Sequence, residues 1–565
     1  MVLVAVVIGI LGGYGAIAFR FLISVFQEAF WRTSDYSLAY ISQLPWYVVV
    51  FTPAAGGVLV GAIIHYFARE AKGHGVPEVM EAVALREGRI RPRVVIAKAL
   101  ASSACIASGG SVGREGPIVQ IGAAIGSSLG QLLKTGPGRL RTLAGCGAAA
   151  GIAATFNAPI AGALFAVEVV LGDFGVPHFS PIVMASVAAT VVSRAYLGDF
   201  PAFEIPSYSL VHPGELLAYG VLGVLAAFVA IAFIQSLYFA EDRFDEIKLP
   251  LPAKACLGGM GVGAIALFYP GILGVGYESI NNALMGSPAL TLLLPLILAK
   301  LLAVGITIGS GGSGGVFAPS LFLGAMLGAS VGQVVNMLFP DATAPPGAYA
   351  LVGMGAVVGA TTHAPITAIL IIFELTNEYR VILPLMTSCI IATLLANRLH
   401  PESIYTLKLL RRGVNLRAGQ DINVLRAIKV SEVMRDKPTV VAPGMSLQGL
   451  LSLFARSNAR YFYVVDDQRT LQGVITMTEV QMVMPNADLL KDLVVASDIA
   501  SNHWPGVSPS DTLDEVAGQL EGEYRHEVPV VEGGILVGTL RIEDLLARYK
   551  QEVFKREMSV SLEHR

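Results

Sequence analysis

Ser108-Gly109-Gly110-Ser111-Val112-Gly113-Arg114-Glu115-Gly116-Pro117 sets two adjacent charges in a glycine-dense segment between long uncharged runs. No Asp, Glu, Lys or Arg occurs in residues 99–113 or 116–133. Charges in such a run lie at bilayer depth or in a water-filled break within it, and an ionisable group there marks a functional site.

Composition agrees with a bilayer setting. Of 565 residues, 54% are hydrophobic and 14% charged, with a mean hydropathy of +0.64, against roughly 25% charge in an ordinary soluble protein. The chain up to Arg412 holds 23 Lys+Arg and 21 Asp+Glu; the remaining 153 residues hold 16 and 21, and so read as soluble and slightly acidic. Residues 301–340 and 342–373 carry no charge. Both runs exceed the roughly 20 residues that span hydrocarbon, so each must contain a break. Met1 leads directly into an apolar segment without the basic start and cleavage site of a signal peptide, which reads as a membrane helix with little or nothing before it. Cys105, Cys146, Cys256 and Cys389 form no paired motif and read as small buried residues. No HExxH, metal cluster or nucleophile–base pair is present, so an enzyme, a resident metal and a required cofactor are not expected, and nothing calls for a nucleic-acid partner.

The first helices are expected over residues 1–30 and 46–66. Basic loops at Arg86, Arg89, Arg91, Arg93 and at Lys134, Arg139, Arg141 are placed on the inner side. The quoted stretch has a second copy at an offset of 202, Ser310-Gly311-Gly312-Ser313-Gly314-Gly315-Val316-Phe317-Ala318-Pro319, and identities continue through Gly122/Gly324 and Gly126/Gly328. At an offset of 206, Gly147, Ala154, Thr155, Ala158, Pro159, Ile160, Leu164 and Glu168 recur as Gly353, Ala360, Thr361, Ala364, Pro365, Ile366, Leu370 and Glu374. Two blocks in one order indicate a duplication.

Gly/Pro-interrupted apolar segments at matching places in two halves point to a binding site at the repeat interface. A helix that begins at membrane depth leaves N–H groups without partners, glycine leaves them unshielded, and the helix dipole favours an anion there. Close packing of helices is the competing account, and it suits Gly122 and Gly126 better than a Gly/Ser cluster ending in Pro.

Gly73-His74-Gly75-Val76-Pro77, Gly113-Arg114-Glu115-Gly116-Pro117, Gly315-Val316-Phe317-Ala318-Pro319 and Tyr405 before a soluble tail together resemble the CLC family of chloride channels and chloride/proton antiporters. The resemblance implies an all-α polytopic membrane protein of two inverted-topology repeats in the cell membrane. It further implies a homodimer with one pore per subunit, and chloride, with other small anions, as the transported ligand. By that resemblance Glu115 is the gating glutamate, whose carboxylate occupies an anion site and leaves when protonated or displaced. Arg114, with Gly113 and Gly116, forms an outer anion site. Tyr405 and the backbone N–H groups of Val316 and Phe317 hold the central chloride.

Two positions depart from the family pattern. His74 replaces the usual serine; an imidazole N–H can also donate to chloride, and His74 is expected to line the central site and to make flux depend on inner-side pH. Val169 replaces an acid that takes protons from the inside in many antiporters, so passive, glutamate- or voltage-gated chloride conduction is favoured over antiport by another route. The neighbouring Glu168, repeated as Glu374, is expected to be structural. A non-transport scaffold with a sensor tail is the third reading.

The expected divisions are membrane halves at 1–205 and 206–412, a linker at 413–428, tail copies at 429–485 and 486–555, and a terminal segment at 556–565. The tail resembles a cytoplasmic α/β tandem CBS pair, which in related proteins can bind an adenine nucleotide. Thr476 and Glu479 in one copy and Arg541 and Asp544 in the other are the candidate nucleotide contacts. Each copy departs from the favourable Gly-x-x-Ser/Thr-x-x-Asp pattern, so a module that stabilises a dimer is preferred.

Overall fold

Small residues decide how the helices of this chain approach one another. The computed structural model describes residues 1–414, 428–549 and 551, apart from 34–35, 68–71, 173–174, 200–202, 204, 207, 209, 287, 377, 458, 487–489, 492, 503, 505, 514 and 517–525. Most of the expected linker and all of 556–565 therefore lie outside the described residues. The chain divides into two compact units, residues 1–414 and 415–565.

The first unit is helical. Its first part comprises α1 (Val2–Trp31), α2 (Leu38–Gln43), α3 (Trp46–Tyr66), α4 (Val76–Leu85), α5 (Arg93–Ala107), α6 (Glu115–Leu132), α7 (Pro137–Phe156), α8 (Pro159–Phe165) and α9 (Val176–Leu197). Its second part comprises α10 (Glu215–Glu246), α11 (Leu251–Ala266), α12 (Tyr277–Leu284), α13 (Leu290–Gly309), α14 (Phe317–Leu338), α15 (Pro346–Thr362), α16 (Pro365–Thr376), α17 (Ile382–Leu399) and α18 (Thr406–Arg411). Among the described residues, seven helices are long and apolar enough to cross a membrane: α1, α3, α9, α10, α13, α14 and α17.

The uncharged runs break where their length requires. Residues 301–340 divide between α13 and α14, and 342–373 between α15 and α16. Proline opens α7, α8, α15 and α16, where its missing N–H costs no helical bond. α7 and α15 end on Asn157 and His363, both left-handed at φ 58° and at matching repeat positions.

The helix pairs α6/α7 and α14/α15 owe their contact to glycine. A Cβ on Gly122 would strike the carbonyl of Gly147, one on Gly126 that of Leu143, one on Gly324 that of Gly353, and one on Gly328 that of Tyr349. The repeated glycines outside the break thus serve packing, in which small residues let helix backbones approach. Cys105, Cys146 and Cys389 are buried free thiols, whereas Cys256 is half-buried.

The second unit is α/β. β1 (Val440–Val441) runs parallel to β2 (Tyr461–Val465), which pairs antiparallel with β3 (Leu471–Thr476) in register Phe462↔Ile475. β4 (Glu527–Glu532) and β5 (Ile535–Arg541) form a second antiparallel pair in register Val528↔Leu540. Each pair has an apolar cluster of its own, and a third joins them through Tyr463, Val465, Val474 and Leu536. Val430, at the start of the first copy, packs with Val507, Val528, Val530 and Leu540 of the second.

Candidate functional site

Both glycine clusters interrupt the helical path in the same way. Ser108 and Ser310 turn their hydroxyls back onto the carbonyls of Cys105 and Thr307, closing α5 and α13. Gly109 and Gly311 then take φ of +105° and +110°, a region that L side chains rarely adopt. Beyond the turn the two segments meet: the Gly113 N–H donates to the Gly315 carbonyl at 2.7 Å, and the Gly315 N–H to the Gly113 carbonyl at 2.6 Å. Gly73 joins them, donating to the Gly312 carbonyl at 3.2 Å and accepting from the Gly314 N–H at 3.3 Å. Helices α6 and α14 begin directly after this junction.

Glu115, the first residue of α6, is 1% exposed and reaches across to the other half. Its carboxylate accepts the Ala318 N–H at 3.4 Å, in the first turn of α14, and the Tyr277 hydroxyl at 3.3 Å. A negative group at a helix start, facing a backbone N–H, occupies the kind of place a free anion takes. Carboxylate and anion would then compete for it, and protonation of Glu115 would remove the competitor's charge. The half-buried Arg114 lays its guanidinium over the Tyr277 ring at 5.2 Å, so it lies beside the same carboxylate. Gly116 is required by close approach: a Cβ there would strike the carbonyl of His74 and lie 3.0 Å from Gly315 Cα.

His74, Val316, Phe317 and Tyr405 are all buried in the same unit. His74 is fully buried, its ring centroid 6.4 Å from those of Tyr405 and Tyr238, and neither ring nitrogen has a protein partner. Val316 caps α14, and the Phe317 ring packs against Phe156 and Phe165 at 5.9 and 6.4 Å. The loop before Tyr405 is held by the Tyr238 hydroxyl, which donates to the Ile404 carbonyl at 2.6 Å, and by Ser403 Oγ, which accepts the N–H groups of Tyr405 and Thr406.

Glu168 and Glu374 cap each other's neighbouring half. Glu168 accepts the N–H groups of Ile366 and Thr367 at the start of α16; Glu374 accepts those of Ile160 and Ala161 at the start of α8. The adjacent Val169 is buried in the π-helical turn Ala166–Leu171.

Sequence reasoning passed over Tyr277, Lys98 and Lys300. Both lysines are fully buried: Lys98 Nζ donates to the Gly73 carbonyl at 2.7 Å, and Lys300 Nζ to those of Ile272 and Gly274 at 3.0 and 3.1 Å. The signal was present, because Lys98 and Lys300 share the 202 offset, and Gly73-His74-Gly75 recurs as Gly274-Val275-Gly276. Each buried lysine therefore anchors its own half's G-x-G turn.

In the second unit, the four candidate nucleotide contacts have partners of their own. The Thr476 N–H donates to the Glu479 carboxylate at 2.8 Å within a capping box. Asp544 receives two bonds from Arg435, at 2.7 and 2.8 Å. Arg541 donates to Glu527 at 2.6 Å, and the Tyr463 hydroxyl donates to the same carboxylate at 3.1 Å. Among the described residues, no group of three or more His, Cys, Asp or Glu is placed to hold a metal.

The voltage gated chloride channel family model matches residues 56–397, and the CBS domain model matches 430–486 and 496–551. A putative chloride channel protein ClcB-like from Ralstonia nicotianae is 36% identical over 416 residues, covering 73% of this chain and 97% of that relative. Chloride channel protein CLC-f from Arabidopsis thaliana is 31% identical over 553 residues, covering 86% and 70%. Among solved structures, a slow cyanobacterial Cl−/H+ antiporter matches with a TM-score of 0.66 at 28% identity, over 73% of this chain and 97% of that one. A eukaryotic CLC transporter matches with a TM-score of 0.63 at 22% identity, over 96% and 97%, a likeness of fold alone. Glycine-framed helix starts facing a buried carboxylate therefore have relatives named for chloride transport, and the chain belongs to the CLC family: a multi-pass membrane protein that moves chloride across the bilayer rather than an enzyme, carrying a C-terminal cytoplasmic tandem CBS pair.

Proposed function

We propose that this protein exchanges chloride for protons, in place of the passive conduction that Val169 alone favoured. One observation carries the reading: the Glu115 carboxylate lies in the first turn of α14, bonded to the Ala318 N–H. There a single group is both a proton acceptor and an occupant of an anion position, so chloride and proton act on one equilibrium. The 28% identity to a Cl−/H+ antiporter supports exchange. The relatives named chloride channels, together with Val169, support conduction as the second reading.

In this account Glu115 is the gate. His74, Tyr405 and the backbone of Val316 and Phe317 hold the central chloride, while Arg114, Gly113 and Gly116 form the outer anion site. The two halves, 1–205 and 206–412, lie in opposite senses across the bilayer; the crossed Gly113/Gly315 bonds and the mutual glutamate caps support such a relation. The active form is a homodimer with one pore per subunit. The CBS pair serves that assembly rather than a nucleotide, which the internal partners of Thr476, Glu479, Arg541 and Asp544 support. Proton movement driven by a chloride gradient in liposomes tests the exchange, and titration of ATP, ADP and AMP into the full chain, with no heat of binding expected, tests the role of the tail.

A further inference from the structure

Exchange requires a group on the inner side of Glu115 that takes up a proton. Position 169 is a buried valine and cannot. Glu168 beside it is already engaged, its two oxygens accepting from Ile366 and from Thr367. We propose, resting on the chloride/proton reading above, that His74 is the inner proton acceptor and that it holds its proton only while chloride lies beside it.

The placement of His74 carries this. It is fully buried with both ring nitrogens unpartnered, an arrangement that costs stability unless a ligand completes it. Its carbonyl touches the backbone at Gly116, one residue beyond the gate, so its turn abuts the start of the gate helix. The helix that follows this turn, α4, lines a cavity through Glu78 and Glu81. This cavity, of about 730 Å3, is also lined by Arg86, Arg89, Gln120 and Arg412, and a Cβ on Gly75 would lie 3.0 Å from Gln120 Oε1.

Charge explains the dependence on chloride. The ionisable groups facing His74 are Glu78 on α4, Lys98 on α5, and Lys408 and Arg412 on or beside α18, with the rings of Tyr238 and Tyr405 each 6.4 Å from its own. Three cations against one carboxylate oppose an imidazolium. A chloride accepting one ring N–H offsets that repulsion, and the other ring nitrogen then binds a proton from water. The same proton passes to the Glu115 carboxylate and the ring returns to neutral; only N–H and O–H bonds form and break. Glu78 supplies the counter-charge, its Oε1 held by Lys408 and Arg412 at 3.6 and 3.0 Å while its Oε2 is buried without a partner.

The test uses the full chain in liposomes under opposed chloride and pH gradients, comparing wild type with His74→Gln and His74→Ser. Glutamine keeps an N–H donor but takes no proton. Wild type is expected to reverse away from the chloride equilibrium potential and both variants at it, whatever flux they retain; a variant keeping the wild-type displacement overturns the role of His74. Wild type reversing at the chloride potential overturns the exchange reading itself, and the inference with it. A second measurement needs no turnover: chloride binding to Glu115→Gln, followed by calorimetry in two buffers of unlike ionisation heat. Proton uptake that is present there and absent from Glu115→Gln/His74→Gln is expected; equal uptake in the two, or none in the first, overturns the proposal.

Discussion

Gly113 and Gly315, 202 residues apart, exchange two backbone hydrogen bonds of 2.7 and 2.6 Å, and this crossed pair brings the starts of α6 and α14 together. Everything proposed for the site depends on that junction, since it sets the Glu115 carboxylate against the first turn of the opposite helix.

Replacing Glu115 by glutamine keeps the side chain's size and removes its charge and its titration. Chloride flux is expected to persist while proton movement ceases, and the dependence of flux on external pH is expected to flatten. Paired chloride and proton fluxes from liposomes check this.

Tyr277→Phe removes a hydroxyl that donates to Glu115 at 3.3 Å while leaving the ring beneath Arg114. One such bond contributes about 1 kcal/mol, or roughly fivefold in an equilibrium. Chloride flux at neutral pH is expected to rise by up to that factor as the gate is held less firmly, which stopped-flow or electrode measurements of efflux resolve.

Glu168→Ala and Glu374→Ala each leave a helix start without its cap. Loss of bonds to a charged acceptor costs about 2 kcal/mol at such a position. Both variants are expected to unfold at lower temperature, as read by thermal denaturation in detergent, and to retain the wild-type ratio of chloride to protons.

In the tail, the two hydrogen bonds from Arg435 hold the Asp544 carboxyl below the usual carboxylate range. The stability this confers is present above the unfolded value of about 3.9 and is lost as pH falls through the lower folded value. Arg435 is 50% exposed, so solvent screening limits the pair to about 1 kcal/mol or less. Arg435→Met is expected to lower the melting temperature of the tail at pH 7 and to make no difference once Asp544 is protonated in both states, as a pH series of melts would show.

The helix starts are legible in local signals: glycine clusters, prolines and lone charges in apolar runs, none of which depends on what lies opposite. Contacts across the fold carried no such mark. Tyr277 meets Glu115 over 162 residues of chain; it directly follows the repeated Gly274-Val275-Gly276 turn, but no local signal names its partner. Lys98 and Lys300 share the register of the repeat, but each lies upstream of its own glycine block. The absent acid at Val169 favours passive conduction when read alone; the sequence places His74 at the central site, but its unpartnered ring is visible only in the folded chain.

The most direct test of the central claim is the reversal potential of the reconstituted wild-type protein under a chloride gradient opposed by a proton gradient. Coupled exchange predicts a reversal displaced from the chloride equilibrium potential that moves with pH at fixed chloride; a reversal that stays at the chloride potential at every pH contradicts it.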